Sequence, residues 1–159
     1  MKGASFEREA INLLSSRGHF VFPSEMKEDI YKKIDFFVRS RIDGVTYSFD
    51  AKSMKALQRG GPLQDEWAWV EWRGVTGHPG WLVEGSQFIM FERREQVLLV
   101  RREQLLEFCK ARTDLERRAS RPTSAQYLCY SRVGREDLIS LFAFKDLDIP
   151  YRTIPKLQG

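Results

Sequence analysis

Two alternating runs, 33–39 (KIDFFVR) and 45–52 (VTYSFDAK), flank the stretch Arg41-Ile42-Asp43-Gly44, and they constrain the fold of this chain more tightly than any other feature. Alternation at period two is the pattern of a half-buried strand, and Asp-Gly tolerates the backbone angles of a tight hairpin turn. The two runs are therefore expected to pair antiparallel. In the second run Tyr47, Phe49 and Ala51 share one face, and Ser48, Asp50 and Lys52 share the other. In the first, Ile34, Phe36 and Val38 alternate with Lys33, Asp35 and Phe37, so Asp35 shares a face with Asp50 if the register allows. An acid inside an apolar strand costs desolvation energy unless something charged meets it. A hard divalent cation would do so. Magnesium takes oxygen ligands and keeps several waters, and Asp35, Asp50 and the backbone carbonyl of Ala51 make a suitable shell.

The first helix adds a further acid. Phe6, Ala10, Leu13, Leu14 and Arg17 recur at helical spacing and Gly18 ends the run, which predicts an amphipathic helix over 4–17. Glu7 shares a face with Ile11 and Leu14 and is the acid aimed at the site, whereas Glu9 lies on the wet side. A nearby ammonium, here that of Lys52, orients or deprotonates a water, or stabilises charge growing on a phosphate oxygen. That combination suits phosphodiester hydrolysis. Asp-x-Lys or Glu7 alone would read as an ordinary surface charge; the ordered set of Glu7, Asp35, Asp50 and Lys52 is what carries weight.

Elsewhere the pattern predicts a strand over 19–23, a charged loop over 24–32 and a helix over 62–73, where Leu63, Trp67 and Val70 share a face; the alternating Trp67 and Trp69 would equally suit a strand. Strands are expected over 80–84, 87–92 and 96–101, then a helix over 102–111. The charged stretch 110–124 reads as a solvated loop or a phosphate-contacting arm, 126–133 and 138–144 as closing strands, and 150–159 as a tail. This order predicts an α/β domain with a mixed sheet flanked by helices, a single domain over 1–159 with a core over 4–101 and an extension over 102–159.

Composition bounds the rest. In 159 residues, 11 Phe, 5 Tyr and 4 Trp supply one respectable core, which excludes a disordered or fibrous chain. A net charge of +4 suits a polyanionic partner without requiring one. No apolar run is long enough for a membrane span, and Glu7 and Glu9 interrupt any signal-like start, so no membrane partner and a cytoplasmic location are expected. Cys109 and Cys129 with His19 and His78 make no zinc set, and both thiols are expected to be reduced.

Lys2-Gly3-Ala4 with Phe6-Glu7-Arg8-Glu9, then Lys33-Ile34-Asp35-Phe36-Phe37-Val38, then Phe49-Asp50-Ala51-Lys52, resembles the PD-(D/E)XK nuclease superfamily, and within it the archaeal-type Holliday-junction resolvases. The likeness covers residues 2–53. It implies a restriction-endonuclease-like fold, a homodimer that cuts four-way DNA junctions, and Mg2+, with Mn2+ as an alternative. On it, Glu7, Asp35 and Asp50 match the metal-binding acids and Lys52 the catalytic lysine. Asp50 stands where the resolvases more often carry glutamate. Residues 60–145 look more like small phage-encoded nucleases of this fold, which would place the protein in a host cytoplasm and widen the substrate to ends, nicks or flaps. A non-catalytic DNA-binding subunit and a basic protein-interaction domain are the readings from other classes. Lys2, Arg8, Lys33, Lys55 and Arg59 are the expected DNA contacts. Trp67, Trp69, Trp72 and Trp81 read first as core or dimer packing within the stretch 63–92, and second as platforms for unpaired bases.

Overall fold

The computed structural model describes residues 2–24 and 33–158, of which 2–4 by backbone alone. The expected loop 24–32 therefore lies outside the described residues apart from Ser24, as does the side chain of Lys2. In chain order come α1 (Lys2–Ser16), β1 (Phe20–Pro23), β2 (Phe36–Arg39), β3 (Thr46–Lys52), β4 (Lys55–Ala56), β5 (Leu63–Gln64) and β6 (Trp67–Arg73). They are followed by β7 (Phe88–Glu92), β8 (Gln96–Arg101), α2 (Arg102–Arg112), β9 (Asp114–Arg118), β10 (Leu128–Cys129), β11 (Leu138–Ala143) and β12 (Tyr151–Pro155). The fold is mixed α/β, with a six-stranded mixed sheet and two α-helices among the described residues. No helix among them is long and apolar enough to cross a membrane.

The chain forms two compact units. Met1–Ser53, Gly85–Arg101 and Tyr151–Gly159 make the first, and Met54–Glu84 with Arg102–Pro150 make the second. The first unit thus draws on both the expected core 4–101 and the expected extension 102–159.

The first unit holds the six-stranded sheet, in the order β1-β2-β3-β7-β8-β12. The expected hairpin is present: β2 and β3 pair antiparallel, with Phe36 opposite Phe49 and Arg39 opposite Thr46. Its turn works as the Asp-Gly signal requires. Gly44 takes φ +70, and Asp43 Oδ1 accepts the Val45 N–H at 2.9 Å. The β3–β7 pair is parallel and the other neighbours are antiparallel. Phe6, Ala10, Leu13 and Leu14 of α1 are buried on one cluster with Phe36, Val38, Phe49, Met90, Val97 and Ile154. Burying each large side chain contributes about 2 kcal/mol, so the helical spacing of four residues decides which sheet face is covered.

The predicted tail 150–159 is corrected. Residues 151–155 form the edge strand β12 on β8, with Tyr151 opposite Val100 and Pro155 opposite Gln96. Ile154 drops into the core, Lys156 pairs with Glu92 at 3.0 Å, and Pro155 sits at an edge, where its missing N–H is harmless.

In the second unit the predicted helix 62–73 is also corrected. Trp67–Arg73 is a strand, antiparallel to β11. Ala68, Val70 and Trp72 are buried while Trp67, Trp69 and Glu71 are half-buried, so the operative period is two, and the aromatic and β-branched residues favour the strand. Trp72 Nε1 donates to Ser140 Oγ at 2.9 Å across the pair. The predicted strand 80–84 is a turn in which Val83 N and Glu84 N both donate to Gly80 O. A Cβ at Gly80 would lie 2.2 Å from the Glu71 carbonyl oxygen, so this close approach needs glycine. The stretch 110–124 is no plain loop: it contains β9, exposed at every residue and parallel to β10, and a 3-10 turn at Pro122–Ser124. The strand expected over 126–133 shortens to β10, and α2 buries Leu105, Phe108 and Cys109. Both cysteines are free and buried, and burial pushes the Cys109 thiol up to about 12.

Candidate active site

Three of the four expected catalytic side chains meet where β2 begins and β3 ends. Asp35 stands one residue before β2, and its N–H donates to Phe49 O at 2.9 Å, which holds the backbone against β3. Its carboxylate then does what the missing next residue of the ladder would do. Asp35 Oδ2 accepts the Ala51 N–H at 2.8 Å. On β3, residues 50 and 52 share a face, and Lys52 Nζ lies 3.1 Å from Asp50 Oδ2.

The electrostatics of this corner are unusual. Burial, first, and then the charge of Asp50 raise the Asp35 carboxyl to about 8, against the pull of the Ala51 N–H; a side-chain hydrogen bond to Asp50 and the charge of Glu7 push the same way. The two carboxyls are therefore within hydrogen-bonding reach. At neutral pH the Asp35 carboxyl therefore favours its protonated form. Asp50 is 4% exposed. Its Oδ2 accepts no hydrogen bond, although Lys52 Nζ is within ion-pair distance, because the ammonium lies outside the direction a hydrogen bond requires. The Lys52 ion pair offsets part of the cost of burying this oxygen, and its hydrogen-bonding capacity stays open.

Glu7 on α1 is half-buried and is the weakest of the influences on Asp35. Among the described residues no group of three or more His, Cys, Asp and Glu side chains is spaced to hold a metal. Asp35, Asp50 and Lys52 are joined by direct contacts, and Glu7 acts on Asp35 through its charge. Two carboxylates still fit a magnesium-like cation, which uses one or two from the protein and fills the rest of its shell with water and substrate oxygens. The Asp50 Oδ2 without a hydrogen bond and the raised Asp35 are the observations that make the fit.

The expected DNA contacts divide between the units. Arg8 is exposed and Lys33, at φ +57, half-buried in the first; Lys55 and Arg59 are exposed in the second. Residues the sequence reading passed over join the latter pair: Tyr130, Arg132 and Arg135 line the same cavity as Lys55, Arg59 and Trp69. The run YSRVGR at 130–135 carried the signal, two arginines and an aromatic in six residues, but nothing in its spacing named its neighbours. No family model, no curated protein and no solved structure matches the chain.

Proposed function

We propose that the chain is a divalent-metal-dependent deoxyribonuclease whose first unit is restriction-endonuclease-like, acting as a homodimer on branched DNA in the manner of a Holliday-junction resolvase. The observation that carries this reading is the corner of β2 and β3, where two neighbouring carboxyls, one with a buried oxygen lacking a hydrogen bond, stand beside a single lysine. Two carboxyls, one of them raised to about 8, and one ammonium are thus gathered at a single corner of the sheet.

Asp35, Asp50 and the Ala51 carbonyl would hold the cation, with Glu7 as the further acid. When bound, such an ion polarises a phosphodiester oxygen and lowers the pKa of water. The chain's own groups do the remainder. The Ala51 N–H fixes Asp35 in place, and the sheet fixes Asp50, so neither acid has to reorganise on binding. Lys52 brings three N–H donors and a positive charge beside them, to orient an attacking water or to meet charge on a phosphate oxygen. The water oxygen bonds to phosphorus, the ester P–O bond breaks, the water loses its proton to solvent and the leaving oxygen gains one. A symmetric junction needs two cuts, which two copies of the site related by a two-fold axis would supply.

The test is cleavage of labelled four-way junctions, flaps, nicked and intact duplexes and single strands of matched sequence, with magnesium or with EDTA. Paired symmetric cuts confined to the junction, lost in EDTA and in Lys52→Ala, support the full reading. Cutting of flaps, ends or every duplex retains the nuclease and removes the junction specificity. Binding without cleavage under magnesium or manganese removes the enzyme.

A further inference from the structure

The second unit contains a cavity of about 700 Å3, within the roughly 300–1,000 Å3 span of small-ligand sites. Lys55 lines it from β4 and Arg59 from the segment after it, and Arg132 and Arg135 from the segment before β11. Arg132 is committed in part: its Nε lies 2.5 Å from Asp137 Oδ2. Lys55, Arg59 and Arg135 make no ion pair among the described residues, and Glu71 is the one acid in the lining. Three uncommitted cations facing one carboxylate make a place for an anion.

The walls between these cations are aromatic. Trp69 and Tyr130 are half-buried, so part of each ring is open to the cavity, above buried Val70. Trp69 is held in place by its Nε1–H, which donates to Ala56 O at 3.4 Å. That bond also ties the Lys55–Ala56 strand to β6, so a cation and a ring are fixed on one frame. The turn over 58–61, with Gly60 at φ +81 and Gly61 N donating to Gln58 O at 3.0 Å, sets Arg59 at the rim.

Cations at the rim and ring faces within are the two components of single-strand recognition: phosphates meet the charges while bases stack, without regard to sequence. A paired duplex presents its phosphates on a convex cylinder and keeps its base faces stacked, so it offers this concavity nothing to stack. We infer that the cavity of the second unit is a binding site for unpaired DNA, taking a base against Trp69 and Tyr130 and its flanking phosphates on Lys55, Arg59 and Arg135. The inference rests on the nuclease reading only for the identity of the nucleic acid as DNA. It adds a strand-recognition site that uses none of Glu7, Asp35, Asp50 or Lys52.

The test is fluorescence anisotropy of the full chain in EDTA, where cutting is not required, with labelled dT20 and a matched 20-base-pair duplex as probes. The expected result is tighter binding of dT20 than of the duplex. Tyr130→Leu is expected to weaken dT20 about tenfold with an unchanged salt slope, because a stacked base contributes about 1–3 kcal/mol. The double variant Lys55→Ala/Arg59→Ala is expected to lower the slope of log K against log salt by about 1.4, from two lost phosphate contacts on a single strand. Arg135→Ala, on an exposed residue of another segment, gives a smaller drop of the same kind and guards against a local folding defect, as do the thermal melts of all variants. Equal or tighter binding of the duplex overturns the inference, and so does dT20 binding that none of these variants alters. If dT20 binds as expected but no DNA is cut with magnesium, the nuclease reading fails and the cavity stands; cutting with variant-insensitive dT20 binding gives the reverse.

Discussion

Each unit buries an aspartate, and the two are treated in opposite ways. Asp137 in the second unit is 0% exposed, and both its oxygens are met by Arg132, through the backbone N–H at 3.0 Å and Nε at 2.5 Å. Asp50 in the first is nearly as inaccessible, yet its Oδ2 receives no hydrogen bond, and its nearest neighbours are a second carboxyl and one lysine. A chain that satisfies one buried acid fully has the means to satisfy another. The contrast separates an acid that holds a loop together from one placed beside a second carboxyl with a buried oxygen that lacks a hydrogen bond, the kind of perturbed pair found at functional sites.

The largest expected effect is on chemistry. Lys52→Ala and Asp50→Asn are each expected to slow cleavage by about 10^3-fold or more in single-turnover assays; cutting at the wild-type rate by either would put the reaction elsewhere. Next comes stability. Asp137→Ala is expected to cost about 3 kcal/mol in urea denaturation, since it strips partners from the Arg132 backbone and side chain together. Asp50→Asn, by contrast, is expected to leave stability unchanged or raise it, and a loss as large as that of Asp137→Ala would erase the distinction between the two acids.

A smaller effect follows from pH. Asp35 titrates near 8 in the fold against 3.8 unfolded, so between these values the unfolded chain has released a proton that the fold retains. Stability therefore falls as pH rises from about 4 to about 8 and levels off above, and Asp35→Asn is expected to remove most of that decline. A flat wild-type profile across this window would mean the carboxyls do not repel. The smallest effect is the cation's own: at ten times its Kd, magnesium is expected to add about 1.4 kcal/mol at pH 8, read as a thermal shift. The shift should vanish in Asp50→Asn and shrink at pH 5, where protons hold the site.

The hairpin and its acids were legible because local rules fix them. Period two, an Asp-Gly turn and one pairing register are enough to bring Asp35 to Asp50. Helix α1 was legible for the same reason, its apolar stripe being continuous. The stretch 62–84 was not, because Leu63, Trp67 and Val70 satisfy a helical period while the alternating Ala68, Val70 and Trp72 satisfy a strand, and only the partner strand β11, about 70 residues further on, decides between them. The edge strand β12 was hidden likewise: residues 151–155 carry a single buried side chain, Ile154, and derive their order from β8. The carboxylate of Asp35 capping Ala51 N–H was beyond reach, since it depends on where a strand stops.

The interleaving of the chain also governs when the sheet can form. β1, β2, β3, β7 and β8 come first in sequence, but the sixth position is filled only by 151–155, after all of the second unit's residues have been made. Pairs such as Ile154 with Val97 close loops of more than 50 residues, and such long-range closures slow folding. During synthesis, β8 therefore remains a bare edge until residues 151–155 follow the second unit, and the acids of β3 belong to an unfinished sheet all the while that unit is being made.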